Sequence, residues 1–472
     1  MSRGVLFIST MDDGTKRFPT CVIEEAFGTQ TTGETFPIKC TSGDAEFLNL
    51  TSGPATSSNR VQEAGRKLYD ALVAHKDVAK FFAQTDVLPP LGGQPPSVCP
   101  LYLRMGTPDA EDLPWEILWE TQKTFMILDP KGRWPIARLA AMPRQPEPLH
   151  KNVGSGLRLS VVLAAADESG AEEWASISAK FGSLKASLDV FGLVSEDAAK
   201  DAMTKDAGDW AAVNPARKVE VDFIGDGSSL INRLRAQAPN IVHIFCHGVS
   251  DPRPELELET RADRLTEKKQ GSIRLRSEDL LALASLDSLW LVVLNCCQGA
   301  KTAPQLHSLA RDLVAAGVPA VAAMRESIQV DDAHLFAEHF YSALFAQLNS
   351  IFSVRSMNPP PDPIPFQEIV WLQAVHEARR KLSSFRERLP EGSVEWTYPV
   401  LYVNRDRLHL HPRDLTAVAI LTAPARLELL SKLDLLRAIR EPLVLATDAD
   451  AVNRRASIDA EIHQIEAQLA GG

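Results

Sequence analysis

Two apolar runs in this chain each end in residues that can do chemistry. The first is Ile241-Val242-His243-Ile244-Phe245-Cys246-His247-Gly248, and the second is Leu289-Trp290-Leu291-Val292-Val293-Leu294-Asn295-Cys296-Cys297-Gln298-Gly299. A cysteine is a nucleophile only as its thiolate, and its reference pKa is about 8.5. A neighbouring imidazole can take the thiol proton, and an imidazolium nearby favours the thiolate. Attack on a carbonyl carbon creates an oxyanion, which needs backbone N–H donors. His247 would be the base and Cys297 the nucleophile. The amides of Gly248 and Cys297 are the candidate oxyanion donors, glycine permitting close approach of a substrate. Neighbouring strand residues point to opposite faces. One of the adjacent thiols therefore faces the imidazole, and the other fills a small buried site, as free cysteines often do.

Both runs are rich in β-branched and aromatic residues, which predicts buried strands of a parallel sheet over 241–246 and 289–296. Ligands of open α/β sheets bind beyond the carboxyl ends of the strands, and His247 and Cys297 lie at such ends. Around them, strands are expected at Leu157–Ala164, Val219–Ile224, Val318–Met324 and Glu395–Val403. Helices are expected at Ala171–Phe191, Ser228–Gln237, Ser277–Ala284, Leu306–Ala316, Ala333–Gln347 and Phe366–Phe385. This alternation points to an α/β fold with a mostly parallel sheet flanked by helices. Asp251–Gly271 is charge-dense and Asn349–Pro365 is proline-rich. Each reads as a loop insertion, either a lid or a solvated surface.

Upstream, residues 1–58 read as a small β-rich extension, with strand-like pieces at Val5–Ile8 and Ala45–Leu50. Residues 59–150 begin with a helix that Ser58 or Asn59 could cap. A Pro/Gly loop at 89–96 and a strand at Leu101–Met105 follow. Trp115 and Trp119 read as one packed helix face. Phe125–Leu128 and Trp134–Leu139 read as a hairpin around Asp129-Pro130-Lys131-Gly132. Residues 151–407 form the main α/β domain. The tail, 408–472, holds two amphipathic stretches, Ala425–Ile439 and Ala456–Leu469, which read as a helical hairpin and a surface for oligomer or partner contacts.

The 472 residues carry a net charge of −11, which argues against bulk attraction to nucleic acid or anionic lipid. No apolar run reaches the roughly 18–20 residues that cross a membrane. Six cysteines are too few for a disulfide framework in a chain of this length. They read as reduced thiols in a cytoplasmic protein. A zinc site would need three or four converging side chains, and alternation separates Cys246 from His247. Neither a metal nor another cofactor is expected. His243 shares a strand face with His247 and reads as a packed core histidine.

Asn295-Cys296-Cys297-Gln298-Gly299 fits the caspase signature Gln-Ala-Cys-(Arg/Gln/Gly)-Gly at its cysteine, its glutamine and its final glycine. The signature's histidine lies about 50 residues upstream, and here 297 − 247 is 50. That alignment selects Cys297 over Cys296. Further matching pieces are Ala64-Gly65-Arg66-Lys67-Leu68-Tyr69, Leu113-Pro114-Trp115-Glu116-Ile117-Leu118, Gly317-Val318-Pro319-Ala320-Val321-Ala322-Ala323-Met324, Phe336–Leu344, Ala378-Arg379 and Tyr398-Pro399-Val400-Leu401-Tyr402. With these, the chain resembles the CHAT branch of caspase-like peptidases, relatives of caspases and separases, from about residue 61 to residue 403. The resemblance implies a caspase-type sheet and an endopeptidase that cleaves a protein substrate. It also implies a setting in bacterial defence or regulated cell death, with activation by a protein partner. The chain departs from the family where Cys296 replaces the usual Ala, and where Met324-Arg325 replaces Leu-Trp. A catalytically silent caspase-like interaction module is the alternative. For specificity, Asp331 and Asp332 would favour a basic substrate side chain and Arg325 an acidic one. Asp332 could equally cap the helix expected at Ala333, and Arg325 could be an exposed loop residue.

Overall fold

The computed structural model describes residues 4–12, 17–26, 29–30, 35–38, 40, 47, 58–86, 100–120, 125–128, 135–139, 149–152, 156–184, 187–213, 217–250, 253–267, 270–297, 307–325, 328–355, 367–386, 395–404 and 408–411, with positions 432, 436, 455, 458, 459 and 462. The chain divides into Met1–Pro412 and Arg413–Gly472. In the second unit the described positions are all helical, and Leu436 and Ile462 are buried.

In the first unit, β1 (Gly4–Asp12), β2 (Arg17–Ala26), β3 (Thr29–Gln30) and β4 (Phe36–Pro37) precede α1 (Ser58–Val73) and α2 (Lys76–Asp86). Next come β5 (Leu101–Met105), α3 (Pro108–Glu111), β6 (Ile136–Leu139) and β7 (Leu149–Asn152). The central series is β8 (Gly156–Leu163), α4 (Gly170–Ser178), β9 (Ser187–Val194), α5 (Asp197–Val213), β10 (Arg217–Phe223), α6 (Gly227–Gln237) and β11 (Ile241–Ser250). It continues through β12 (Pro254–Leu258), α7 (Arg261–Leu265), β13 (Ile273–Leu275), α8 (Ser277–Ala284), β14 (Leu291–Cys297), α9 (His307–Ala315) and β15 (Ala320–Met324). The last elements are α10 (Val330–Arg355), β16 (Gln367–Ile369), α11 (Trp371–Arg386), β17 (Pro399–Val403) and β18 (Leu408–His411).

Twelve strands of a 15-stranded sheet run in the order β10-β9-β8-β11-β14-β15-β17-β6-β5-β1-β2-β3, with β12 joined to β11, β13 to β12 and β4 to β2 off this path. From β10 to β15 each neighbouring pair is parallel, whereas β17 joins β15 antiparallel. Its two faces explain the continuous apolar runs. Ile241, Phe245, Leu291 and Val293 pack on one face with Trp174 and Ile177 of α4 and Phe336 and Phe340 of α10. Val242, Ile244, Cys246, Val292, Leu294 and Cys296 pack on the other with Leu230 and Leu234 of α6, Leu280 and Leu283 of α8, and Leu309 and Leu313 of α9. A strand buried on both sides has no polar face to show in its sequence. At the end of α9, Gly317 adopts φ 119°, and the amides of Gly317 and Val318 donate to Val314 O and Leu313 O. This left-handed cap stops the helix and sends the chain into β15.

Several boundaries differ from expectation. The helix expected over Ala171–Phe191 stops at Ser178, and Ser187–Val194 is a strand of the main sheet. Only Asp189 is exposed in that strand, so its apolar content imitates a buried helix face. The charge-dense stretch 251–271 holds a strand and a short helix, because its acidic residues face partners across the hairpin. Helix α10 runs on to Arg355, into the proline-rich insertion. Phe125–Leu128 and Ile136–Leu139 do not pair with each other: Phe125 bridges to Trp119, and β6 joins β5 and β17 in parallel. Trp115 sits in a 3-10 turn rather than on one helix face with Trp119. Strand β1 joins the main sheet beside β5, and β18 pairs with β7 and β16. Residues 45–46, 48–50, 89–96, 129–132 and most of both tail stretches lie outside the described residues. Among the described residues, no helix is long and apolar enough to cross a membrane.

Candidate active site

The strand order makes β8 the start of two windings. The chain leaves it through α4 to β9 and β10 on one side, then returns to β11, β14 and β15 on the other. The crevice between β8 and β11 is thus a topological switch point, where ligands of doubly wound sheets bind. His247 lies at that crevice.

Strand β11 does not end at Cys246 as expected but continues to Ser250. Strand β8 pairs with β11 only as far as Phe245, and β15 pairs with β14 only as far as Leu294. Beyond these points Cys246 pairs with Cys296 and His247 with Cys297. The tips of β11 and β14 therefore overhang β8 and β15. Past them β11 turns into β12, which sets Glu257 opposite His247 and Leu256 opposite Gly248.

His247 is 4% exposed. Its Nε2 lies 2.5 Å from Ala166 O, in the loop after β8. A carbonyl oxygen only accepts, so Nε2 carries the hydrogen of the neutral ring and donates. The other nitrogen, Nδ1, is then the proton acceptor. Asp167, the next residue, adopts φ 60°, a left-handed conformation that a non-glycine residue holds only when its surroundings enforce it. Ser169 then caps α4 by accepting from the Glu172 amide at 3.2 Å. Gly170 brings the helix against β8, where a Cβ would meet the Leu163 Cβ at 3.1 Å.

The paired cysteines behave differently. Cys246 and Cys296 are buried with their Sγ atoms 4.0 Å apart, in the core on the α8–α9 side of the sheet. Cys297 is the last residue of β14, with its backbone level with His247. Its side chain and residues 298–306 lie outside the described residues.

The rim is acidic on one side. Partial burial pushes the Glu168 carboxyl above its usual range; Asp167 and Asp331 push the same way, and His247 and His334 oppose them. Asp331 is exposed in the first turn of α10. Asp332 is buried in that turn, and because α10 begins at Val330 it lies inside the helix, not at its cap. Burial also raises the Glu259 carboxyl, which accepts from Ser195 Oγ at 2.9 Å and faces Arg264 Nη1 at 3.5 Å. Arg264 Nη2 in turn donates to Glu168 O at 2.7 Å.

Arg325 is buried, contrary to a reading as an exposed loop residue. It follows β15, its amide donates to Tyr398 O at 2.7 Å, and its charge acts on Glu116 and His307. The structure thus brings His247, Gly248 and position 297 to one edge, with Asp331 on its rim, while Arg325 serves the interior.

Sequence reasoning missed Ala166, whose backbone oxygen leaves no side-chain signal, and Glu173. Glu173 is fully buried on α4 between Gly170 and Ile177, which are also buried. A charged residue on an apolar stripe is the signal that could have found it. Its Oε1 lies 2.8 Å from His243 Nε2 and accepts from Asn295 Nδ2 at 2.8 Å. His243 is thus packed in the core, as expected, with this carboxylate against its ring.

Comparison with known proteins places this geometry. The CHAT domain family matches residues 62–356. No curated protein matches the chain. Among solved structures, the Saccharomyces cerevisiae separase–securin complex at 2.6 Å resolution aligns at 11% identity and a TM-score of 0.33, covering 72% of this chain and 17% of the other. The same complex at 3.0 Å resolution aligns at 12% identity and a TM-score of 0.33, covering 71% and 17%. This chain therefore spans about a sixth of the chain it aligns with. The family match takes in both overhanging strand tips and the β8–α4 connection, and the chain belongs to the CHAT domain family.

Proposed function

We propose that the protein is a cysteine endopeptidase of the caspase-like class that cleaves a protein substrate with His247 and Cys297. The observation that carries this reading is the register: residues 247 and 297 are backbone partners on two strand tips that project past their neighbours. Strand alternation puts 297 on the sheet face of 293 and 295, the face of 247 and not of Cys246 and Cys296.

In the reaction, the Cys297 thiol gives its proton to His247 Nδ1, and the sulfur attacks the scissile carbonyl carbon. The C–S bond forms, and the carbonyl oxygen takes the negative charge beside the amides of Gly248 and Cys297. The imidazolium then protonates the leaving nitrogen as the C–N bond breaks. Water, losing its proton to His247, attacks the thioester, the C–S bond breaks, and the thiolate recovers the proton. The Ala166 carbonyl holds the ring through Nε2, which assigns the proton transfers to Nδ1.

Asp331 is the specificity candidate that best suits this edge, because it is exposed and, like His247, lies near enough to act on Glu168. A basic side chain beside the scissile bond is the expected preference. The resemblance supplies the biological setting: bacterial defence or regulated cell death, with a protein partner that switches the enzyme on.

The test is incubation with a proteome-derived peptide mixture, with cleavage sites mapped by mass spectrometry. Wild type and Cys296→Ala should cut, and Cys297→Ala and His247→Ala should not. Cleavage that survives both dyad substitutions sinks the proposal. Folded wild type that cuts nothing, even with its candidate partner present, supports a catalytically silent interaction module.

A further inference from the structure

The β8–α4 connection that carries Ala166 leads into α4, which carries Glu173, whose carboxylate is fully buried. One oxygen, Oε1, lies against both strands of the candidate dyad: it accepts from Asn295 Nδ2 on β14 at 2.8 Å, and His243 Nε2 on β11 packs 2.8 Å away without hydrogen-bond geometry. Asn295 Nδ2 also donates to Ala333 O on α10 at 2.9 Å. Asn295 lies opposite Phe245, the last residue of β11 that β8 supports, and two positions before Cys297. The carboxylate therefore sits between the strands and the helices above them at the level where pairing of β11 with β8 ends.

We propose that Glu173 is a positioning residue, whose carboxylate clamps β11 to β14 at the base of their overhang and so aligns His247 with Cys297. The inference rests on the peptidase reading above. Burying a carboxylate is costly, and well-packed apolar replacements of buried ion pairs are often neutral or stabilising. A fully buried carboxylate that bridges two strands at this level thus answers a demand for geometry more than one for stability. The groups around it fit that role. His334 Nε2 lies 3.7 Å from Glu173 Oε2, and His334 Nδ1 lies 3.7 Å from Glu172 Oε2. The His334 ring packs against Phe245 at 5.4 Å between centroids, and the Tyr341 ring packs against His243 at 5.6 Å. Because Glu173 sits on the helix that follows the Ala166 loop, the same clamp also sets the carbonyl that orients His247.

The test needs no substrate. Iodoacetamide alkylation of Cys297, resolved from Cys296 by peptide mass spectrometry, is measured against pH together with thermal melting of each variant. In wild type the paired imidazole should keep Cys297 reactive well below the ordinary thiol range, and His247→Ala should abolish that low-pH limb. Glu173→Ala should move the profile towards that of His247→Ala, with about a tenfold fall in rate at pH 6 for each pKa unit regained by the thiol. Glu173→Gln keeps an oxygen for Asn295 and should retain most of the low-pH limb. Glu173→Ala that melts lower but keeps the wild-type profile makes Glu173 structural only, and overturns the proposal. If Glu173→Ala does not fold, Asn295→Ser removes one strand's tether alone. A wild-type profile in that variant also overturns the proposal. A His247→Ala profile identical to wild type overturns the dyad reading itself, and the inference falls with it.

Discussion

Glu116 offers a stability experiment whose magnitude follows from the structure. It lies in a 3-10 turn of the Leu113–Leu118 segment and is fully buried, as is Arg138 on β6. Arg138 Nε and Nη2 donate to the two carboxylate oxygens at 2.9 and 2.7 Å. Its Nη1 donates to Glu111 O at 2.6 Å and to Tyr402 Oη at 3.2 Å. Burial alone would raise the Glu116 carboxyl, but Arg138, with Arg379 and Arg325 behind it, overrides burial and lowers it from 4.5 to about 2. At roughly 1.4 kcal/mol per pKa unit, that drop corresponds to about 3 kcal/mol. The pKa is depressed on folding, so this stability is fully present above pH 4.5 and is lost as pH falls towards 2. Glu116→Gln removes the term at every pH and leaves the Arg138 charge buried beside two other arginines, so the cost at pH 7 should be about 3–5 kcal/mol. The linkage relation makes the wild-type advantage from this carboxylate fall from about 3 kcal/mol at pH 7 to about 1 kcal/mol at pH 3. Urea denaturation of both proteins across that range, followed by tryptophan fluorescence, measures the difference. A cost under about 1 kcal/mol at pH 7, or a difference that stays constant down to pH 3, refutes the reasoning.

Two further outcomes are expected. Asp331→Asn should weaken any preference for Lys or Arg next to the scissile bond in the peptide-mixture assay while leaving the melting temperature within a few degrees of wild type; an unaltered preference removes Asp331 from the specificity set. Deleting residues 413–472 should change the number of chains per particle, measured by light scattering, or abolish capture of an activating partner, and a variant unchanged in both counts against an assembly role for the tail.

What the sequence reveals of this fold depends on how local the deciding contact is. β11 and β14 are legible because burial on both faces leaves an uninterrupted β-branched run. β9 is not, since Val190-Phe191-Gly192-Leu193-Val194 follows a true helix closely and only Asp189 breaks the apolar run. Charge density misleads at 251–271, where Glu255 meets Arg276 Nε at 2.6 Å, Glu257 meets Arg274, and Asp263 accepts from Ser272 Oγ at 2.6 Å. Each of those residues looks solvated until the hairpin brings its partner across. The place of β1 beside β5 depends on pairing Gly4 with Leu101, a contact no local pattern encodes. The candidate site divides in the same way. His247, Gly248 and Cys297 carry their chemistry in their residue types. Ala166 acts through a backbone oxygen and Glu173 through a position three-dimensional packing creates, so both become visible only in the fold.

The overhang explains why these parts occur together. A dyad needs its two side chains held to a fraction of an ångström, yet a substrate backbone must reach them. Inside the sheet, β8 and β15 flank the two strands, and the helices cover both faces, so position is secure and access is absent. Farther out, access is gained and the flanking ladders are lost. Residues 247 and 297 stand two positions past Phe245 and Asn295, close enough to inherit the rigidity of the last supported pair. The polar groups found there suit that compromise: a carbonyl on the imidazole, a carboxylate across the strand pair, and a second hairpin strand laid along β11 where β8 stops. Ala166 and Glu173 come from the loop and the helix that directly follow β8, at the point where the winding of the sheet reverses. The switch point thus opens the crevice, and the segment that leaves it supplies the two contacts that keep the strand tips aligned.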